Sequence, residues 1–168
     1  MKRLLIIIII FCFSVNSFTN NIFKIQAMYI YNFTRYVDWP ENYKSNDFVI
    51  GILGNCAIYD ELKTFTDNKK VGNQSISVVC FNSIEEITKC HILYISNSED
   101  FEIYSILKKV NGNNNLIVGD CKGLTEAGAA INFVFIEEKL KFELKSDNAL
   151  KYGLKISSLL CNMALSCN

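Results

Sequence analysis

Cys90 and His91 stand side by side, and His91 is the only histidine in the chain. A thiol and an imidazole are the parts of a nucleophile–base pair, but that chemistry needs the two side chains to meet. Both fall in "CHILYIS", residues 90–96, an apolar run that reads as a strand. Neighbouring side chains on a strand point to opposite faces, so this pair does not assemble. His91 therefore reads as a core or capping histidine. One histidine and no Cys-x-x-Cys pair leave little for a transition metal or a dithiol centre. "GILGN", residues 51–55, sits between a predicted strand and a predicted helix, as phosphate loops do. It lacks the third glycine of the dinucleotide fingerprint and the Gly-Lys-Ser/Thr of the P-loop, and reads as a tight turn. Asp38, Asp60, Glu61, Glu85, Glu86, Glu99 and Asp100 fall near element ends, where capping accounts for them. With no residue set meeting the demands of catalysis, the expectation is a non-enzyme without metal or cofactor.

Charge and length narrow the field further. The 168 residues fit one domain with a proper core, and 17 basic residues balance 17 acidic ones. That balance gives no footprint for nucleic acid. The first residues set the compartment. Lys2 and Arg3 precede a ten-residue apolar run, Leu4 to Phe13, and Val15-Asn16-Ser17 offers a cleavage site. This is a signal-peptide pattern, and the run falls short of the roughly 20 residues that span a bilayer. Cys12 follows Phe11 rather than a small residue, which argues against a lipid anchor. The expectation is residues 1–17 as a cleaved signal peptide and 18–168 as one periplasmic domain.

Export changes how the cysteines read. Six remain after residue 17: Cys56, Cys80, Cys90, Cys121, Cys161 and Cys167. An even count in an oxidising compartment favours disulfides, although a buried free thiol is the alternative at each position. Cys80 ends one predicted strand and Cys90 begins the next, so that pair is expected to bond. Cys161–Cys167 is the second expected bridge.

The elements that position these residues follow from periodicity. Residues 22–37 read as a helix with Ile22, Ile25, Tyr29, Phe33 and Tyr36 on one face. Trp39-Pro40 ends it, because a residue before proline is pushed out of the helical region. "FVIGILG", "SISVVCF", "CHILYIS" and "NNLIVGD" read as strands. "AIYDELKTFT" and "SEDFEIYSILKKV" read as helices, the latter with Ser98 as N-cap. "INFVFI" and "KLKFELK" read as a hairpin around Glu137-Glu138, its second arm half-exposed and near an edge. From Ser146 on, Ile156, Leu159, Leu160, Met163 and Ala164 suggest a final amphipathic helix. The order predicts an α/β fold: a single mixed sheet with parallel crossovers and a C-terminal antiparallel hairpin, flanked by helices.

"YIYNFTRYVDWP", residues 29–40, gathers five aromatic residues, one arginine and the only proline and tryptophan of the chain. Tyr29, Phe33 and Tyr36 are expected in the core, and Trp39 as a plug between helix and sheet. Tyr31, Asn32 and Arg35 lie toward another side, where a partner face, a dimer face and a structural role are all open.

Here the pieces fit a family. "KIQAMYIYNFTRYVDWP" resembles the N-terminal helix signature of the YfiR/HmsC-like periplasmic proteins, with Lys24, Ala27, Tyr31, Asn32, Phe33, Arg35, Trp39 and Pro40 on its marked positions. "FVIGILGN", "CHILYIS", "AGAAINFVFIEEKLKFEL" and "NALKYGLKISSLLCNMA" resemble later segments of the same family, in order. The chain departs from it at Gly128-Ala129, Ala130 and Lys145. The resemblance implies a non-catalytic periplasmic regulator. It would bind and repress the sensor domain of an inner-membrane diguanylate cyclase or sensor kinase, controlling cyclic-di-GMP and biofilm. The resemblance also implies relief by an outer-membrane lipoprotein. Tyr31, Asn32, Arg35 and Trp39 are the candidate partner contacts, and a homodimer is possible on the same grounds. The alternative is a small-ligand sensor holding an aromatic or nucleobase-like molecule near Trp39.

Overall fold

The computed structural model describes residues 21–54, 56–96 and 102–168. The predicted signal segment, Asn55 and Ser98 lie outside them.

The described residues open with helix α1, residues 21–33. It ends earlier than its apolar pattern suggests. Thr34, Arg35 and Tyr36 close tight turns back to Tyr31, Asn32 and Phe33, and the Thr34 hydroxyl caps the Tyr31 carbonyl at 2.7 Å. The next two residues are extended, as strand β1 (Val37–Asp38), and pair antiparallel with β9 (Lys155–Ile156) from the far end of the chain. That pairing draws the backbone out of the helix well before Pro40 takes effect.

A seven-stranded sheet follows. Its members are β2 (Phe48–Leu53), β3 (Lys70–Val71), β4 (Gln74–Phe81), β5 (Ile92–Ile95), β6 (Leu116–Gly119), β7 (Ile131–Ile136) and β8 (Lys139–Leu144). The spatial order is β3-β4-β2-β5-β6-β7-β8. Strands β4, β2, β5, β6 and β7 run parallel, and the outermost two are antiparallel to their neighbours. The mixed sheet with a closing hairpin is as expected; the two-stranded β1–β9 pair is an addition to it.

Helices cover both faces. On the first, Ala27, Ile30 and Phe33 of α1 and Leu62 of α2 (Tyr59–Thr66) pack over Ile50, Ile52, Ile92 and Phe142. On the second, Ile106 and Val110 of α3 (Ile103–Val110) and Leu124 of α4 (Leu124–Ala127) pack over Leu53, Leu93 and Ile117. Strands buried on both faces need apolar side chains at every position, which is why the central strands are continuous apolar runs. Glu102 stands at the N-cap position of α3 as described.

The C-terminal region is not one helix. It divides into α5 (Ser146–Lys151), β9 and α6 (Ser158–Met163). Gly153 makes the break, with φ of 71° in the left-handed region that glycine adopts at no steric cost. The Asn114 amide donates to the Tyr152 carbonyl at 2.8 Å and leaves no room for a side chain at Gly153. Of the expected apolar stripe only Leu160 is buried, while Leu159 and Met163 are exposed. Beyond α6 the last residues lie along β8, with bonds Leu165 N–H to Phe142 O (2.8 Å), Leu144 N–H to Ser166 O (3.0 Å) and Asn168 N–H to Leu144 O (3.2 Å). A disulfide, Cys161–Cys167, ties this tail to α6 across a Cα separation of 5.3 Å.

The other bridge differs from the sequence expectation. Cys80 bonds Cys56, at a Cα separation of 6.1 Å, and Cys90 is a buried free thiol. Strand β2 lies between β4 and β5, and Cys80 packs on the first face whereas Cys90 belongs to the second. Short separation in sequence therefore does not bring those two sulfurs together.

Candidate partner-binding face

His91 and the aromatic stretch are explained by packing first. The His91 ring stacks on Phe48 with centroids 4.2 Å apart and meets Tyr43 edge-on. Its Nδ1 accepts the Val49 N–H at 3.0 Å, so in the neutral ring Nε2 carries the proton and donates to the Tyr43 carbonyl at 2.7 Å. Both nitrogens are committed to structure. Cys90 lies on the other face, its thiol pushed up to about 12 by burial.

Burial holds the His91 imidazole below its ordinary value, opposed by the Tyr43 hydrogen bond and aided by nearby Lys89. The sign of the pH effect follows. The unfolded chain takes up a proton near pH 6.5 and the folded ring only lower. This contribution to stability is complete above about pH 6.5 and is lost as pH falls toward the lowered native value. Thermal melts across that window should show a fall that His91→Gln flattens. An unchanged slope in the variant would assign the pH response to other groups.

The four candidate contact residues divide. Trp39 is 4% exposed, edge-on to Phe48 at 5.0 Å, and is the expected plug. Tyr31 is 8% exposed, because Phe65 of α2 covers it edge-on at 5.8 Å, and of the roles left open for it the structural one fits this burial. Asn32 is half-buried, and Arg35 is exposed. Of the expected core residues, Phe33 is buried, while Tyr29 and Tyr36 are half-buried at its margin.

What these residues build together is a cationic cluster on an aromatic base. The Arg35 guanidinium lies 5.3 Å from the centroid of the Tyr31 ring, and the Lys69 ammonium 5.2 Å from it. Lys69 also sits 3.6 Å from the centre of the Phe65 ring and donates to the Phe65 carbonyl. Ring faces attract cations without neutralising them. The ion pairs among the described residues are those of Lys44 with Asp38 and Glu41, and of Lys145 with Glu126, so neither cation has a carboxylate there. Grooves flank the cluster. One, of about 620 Å³, runs between α2 and β4 past Lys63, Lys69 and Lys70. The other, of about 380 Å³, is walled by Ile25, Met28 and Phe65.

The sequence reading missed a second polar group. Asp120, just past β6, accepts from the Tyr94 hydroxyl at 2.9 Å and the Gln26 amide at 3.3 Å. Burial and the neighbouring carboxylate hold the Tyr94 phenol well above its ordinary range. Gln26 is visible in retrospect as a polar residue on the apolar face of α1, one turn before Ile30.

The strand order β4-β2-β5-β6-β7 is the doubly wound order of flavodoxin-like sheets. Here it is closed by an added hairpin and tied by two disulfides. This is a small α/β domain with polar features on its surface and at its strand ends. The chain belongs to the YfiR/HmsC-like family, whose model matches residues 23–165. No curated protein matches it.

Proposed function

We propose that this protein is an exported, non-catalytic regulator that binds the periplasmic sensor domain of an inner-membrane diguanylate cyclase and holds the cyclase inactive. The family match over nearly the whole chain carries this reading. The disulfides support an oxidising compartment, and no described helix is long and apolar enough to cross a membrane. In this reading residues 1–17 direct export and are removed. Arg35 and Lys69, unneutralised and held over rings, meet carboxylates of the sensor domain. An outer-membrane lipoprotein that competes for the same face relieves the repression.

Arg35→Ala tests the contact. Because the side chain is exposed, unfolding stability should stay within about 0.5 kcal/mol of wild type. Affinity for the purified sensor domain should fall, and the cyclase should be released. Equal affinity in the variant places the partner face elsewhere. A much lower melting temperature makes the arginine structural.

A small-molecule sensor is the second reading, favoured by a groove of about 360 Å³ bordered by Trp39, Phe48, Thr34 and Gln74. A rise in melting temperature with an indole or nucleobase, abolished by Gln74→Ala, would select it.

A further inference from the structure

The outer side of β4 is unfinished sheet. Successive residues of a strand send their backbone groups to opposite sides. The Phe81 carbonyl accepts the Gly54 N–H on the β2 side, at 3.2 Å, so Val79 and Ser77 also face β2. Ile76, Val78 and Cys80 direct their N–H and C=O groups outward. The short strand β3 pairs Val71 with Gln74 and Lys70 with Ser75. On its N-terminal side that line of chain is lost at once, because Asn68, at a φ of 58°, turns back into α2. The Lys70–Ser75 register carries the β3 pairing as far as Ile76, and among the described residues no strand pairs with Val78 and Cys80 beyond it. Natural edges are guarded by charge, proline or a covering segment. Residues 74–81, "QSISVVCF", have no charge and no proline, whereas the opposite edge at β8 has Lys139, Lys141 and the disulfide-tied tail.

We propose that this edge takes an extended, acidic segment of a protein partner as an added strand, in line with β3 and antiparallel to β4. The groove of about 620 Å³ between α2 and β4 runs along Ile76 to Val78, up to the open part of the edge. Lys63, Lys69 and Lys70 line it against Asp47 and Asp67, and Arg35 adds a further positive charge through the ring it shares with Lys69. A second copy of the chain suits the edge less well. Edge-to-edge pairing about a two-fold axis would set one α2 beside the other on the same face, lysines against lysines. Backbone bonds would supply affinity and the lysine rim would supply selectivity. The inference rests on the regulatory reading only in requiring a protein partner.

The probe is a short synthetic peptide alternating valine and glutamate, beside the same peptide with lysine for glutamate and one N-methylated along a single edge. Hydrogen exchange of the mature domain should show the Val78 and Cys80 amides unprotected alone and protected by the glutamate peptide. The other two peptides should protect them at least about tenfold less. Val78→Pro removes only an outward N–H, so it should keep the fold and lose the peptide, whereas Ser77→Pro breaks a bond to β2 and should unfold. Should Val78→Pro unfold as well, Lys63→Glu with Lys70→Glu should still reverse the preference toward the lysine peptide. Protection that grows with protein concentration alone would give the edge to a second copy and overturn the proposal. Peptide binding that leaves these amides unprotected would also overturn it. Arg35→Ala that loses the sensor domain while the edge ignores all three peptides sinks the strand and spares the regulatory reading. Peptide capture at the edge with no affinity for any cyclase sensor domain does the reverse.

Discussion

Phe33→Ala should cost about 3–5 kcal/mol of unfolding free energy, the cost of removing a fully buried aromatic ring. Phe33 is 1% exposed. Its ring stacks on Phe133 at 6.1 Å, meets Phe142 edge-on at 5.2 Å and lies 6.2 Å from Tyr29. It is the joint by which α1 grips the closing hairpin. Domains of this size are stable by only about 5–15 kcal/mol, so the variant should lose a large part of its margin. Urea unfolding followed by fluorescence measures it. A midpoint within error of wild type would mean that the ring is not the anchor of α1. The contrast with Arg35→Ala, two residues further on, separates a fold defect from a binding defect on one stretch of chain.

Replacing both Cys56 and Cys80 with serine should be the next largest loss. The bond closes a loop of 24 residues, for which chain entropy gives about 3 kcal/mol. Cys161–Cys167 closes only 6, for which the same reasoning gives about 2 kcal/mol. Reductant should therefore lower the urea midpoint of the wild type, and should change the Cys56/Cys80 double variant by the smaller amount only. An equal response in both proteins would mean that the longer loop is already ordered in the unfolded chain. Cys90 and Cys121 should not react without denaturant, since both are buried.

The strands were legible because a sheet covered on both faces writes itself as uninterrupted apolar runs, as in Phe48–Leu53 and Leu116–Gly119. The family resemblance was legible for the same reason: its segments are those strands, the hairpin and the first helix. Spatial neighbours were not. That Cys80 finds Cys56 depends on β2 lying between β4 and β5, which no local pattern states. Two-residue pairings such as β1 with β9 have no periodicity to read. The end of α1 was misplaced because Tyr36 and Val37 continue its apolar spacing while their backbone answers to β9. The role of Tyr31 stays open in the sequence because it turns on Phe65, a residue whose position depends on how α2 crosses the sheet. Of the candidate site, Arg35 was legible and Lys69 was not, since a cation is recruited to a ring by tertiary packing rather than by spacing.

The unequal edges of the sheet limit how this molecule assembles. A protein with two open edges is a link and can string into fibres. Here the C-terminal residues, fastened by Cys161–Cys167, occupy part of one side, and lysines guard the remainder. If the β4 side takes a strand as proposed, growth by strand pairing stops after a single addition, because the other edge is occupied or charged among the described residues. The proposal therefore predicts one-to-one stoichiometry with a partner that uses this edge. Cutting the tail away should bare part of the β8 edge as well and leave the sheet with two sides open to pairing.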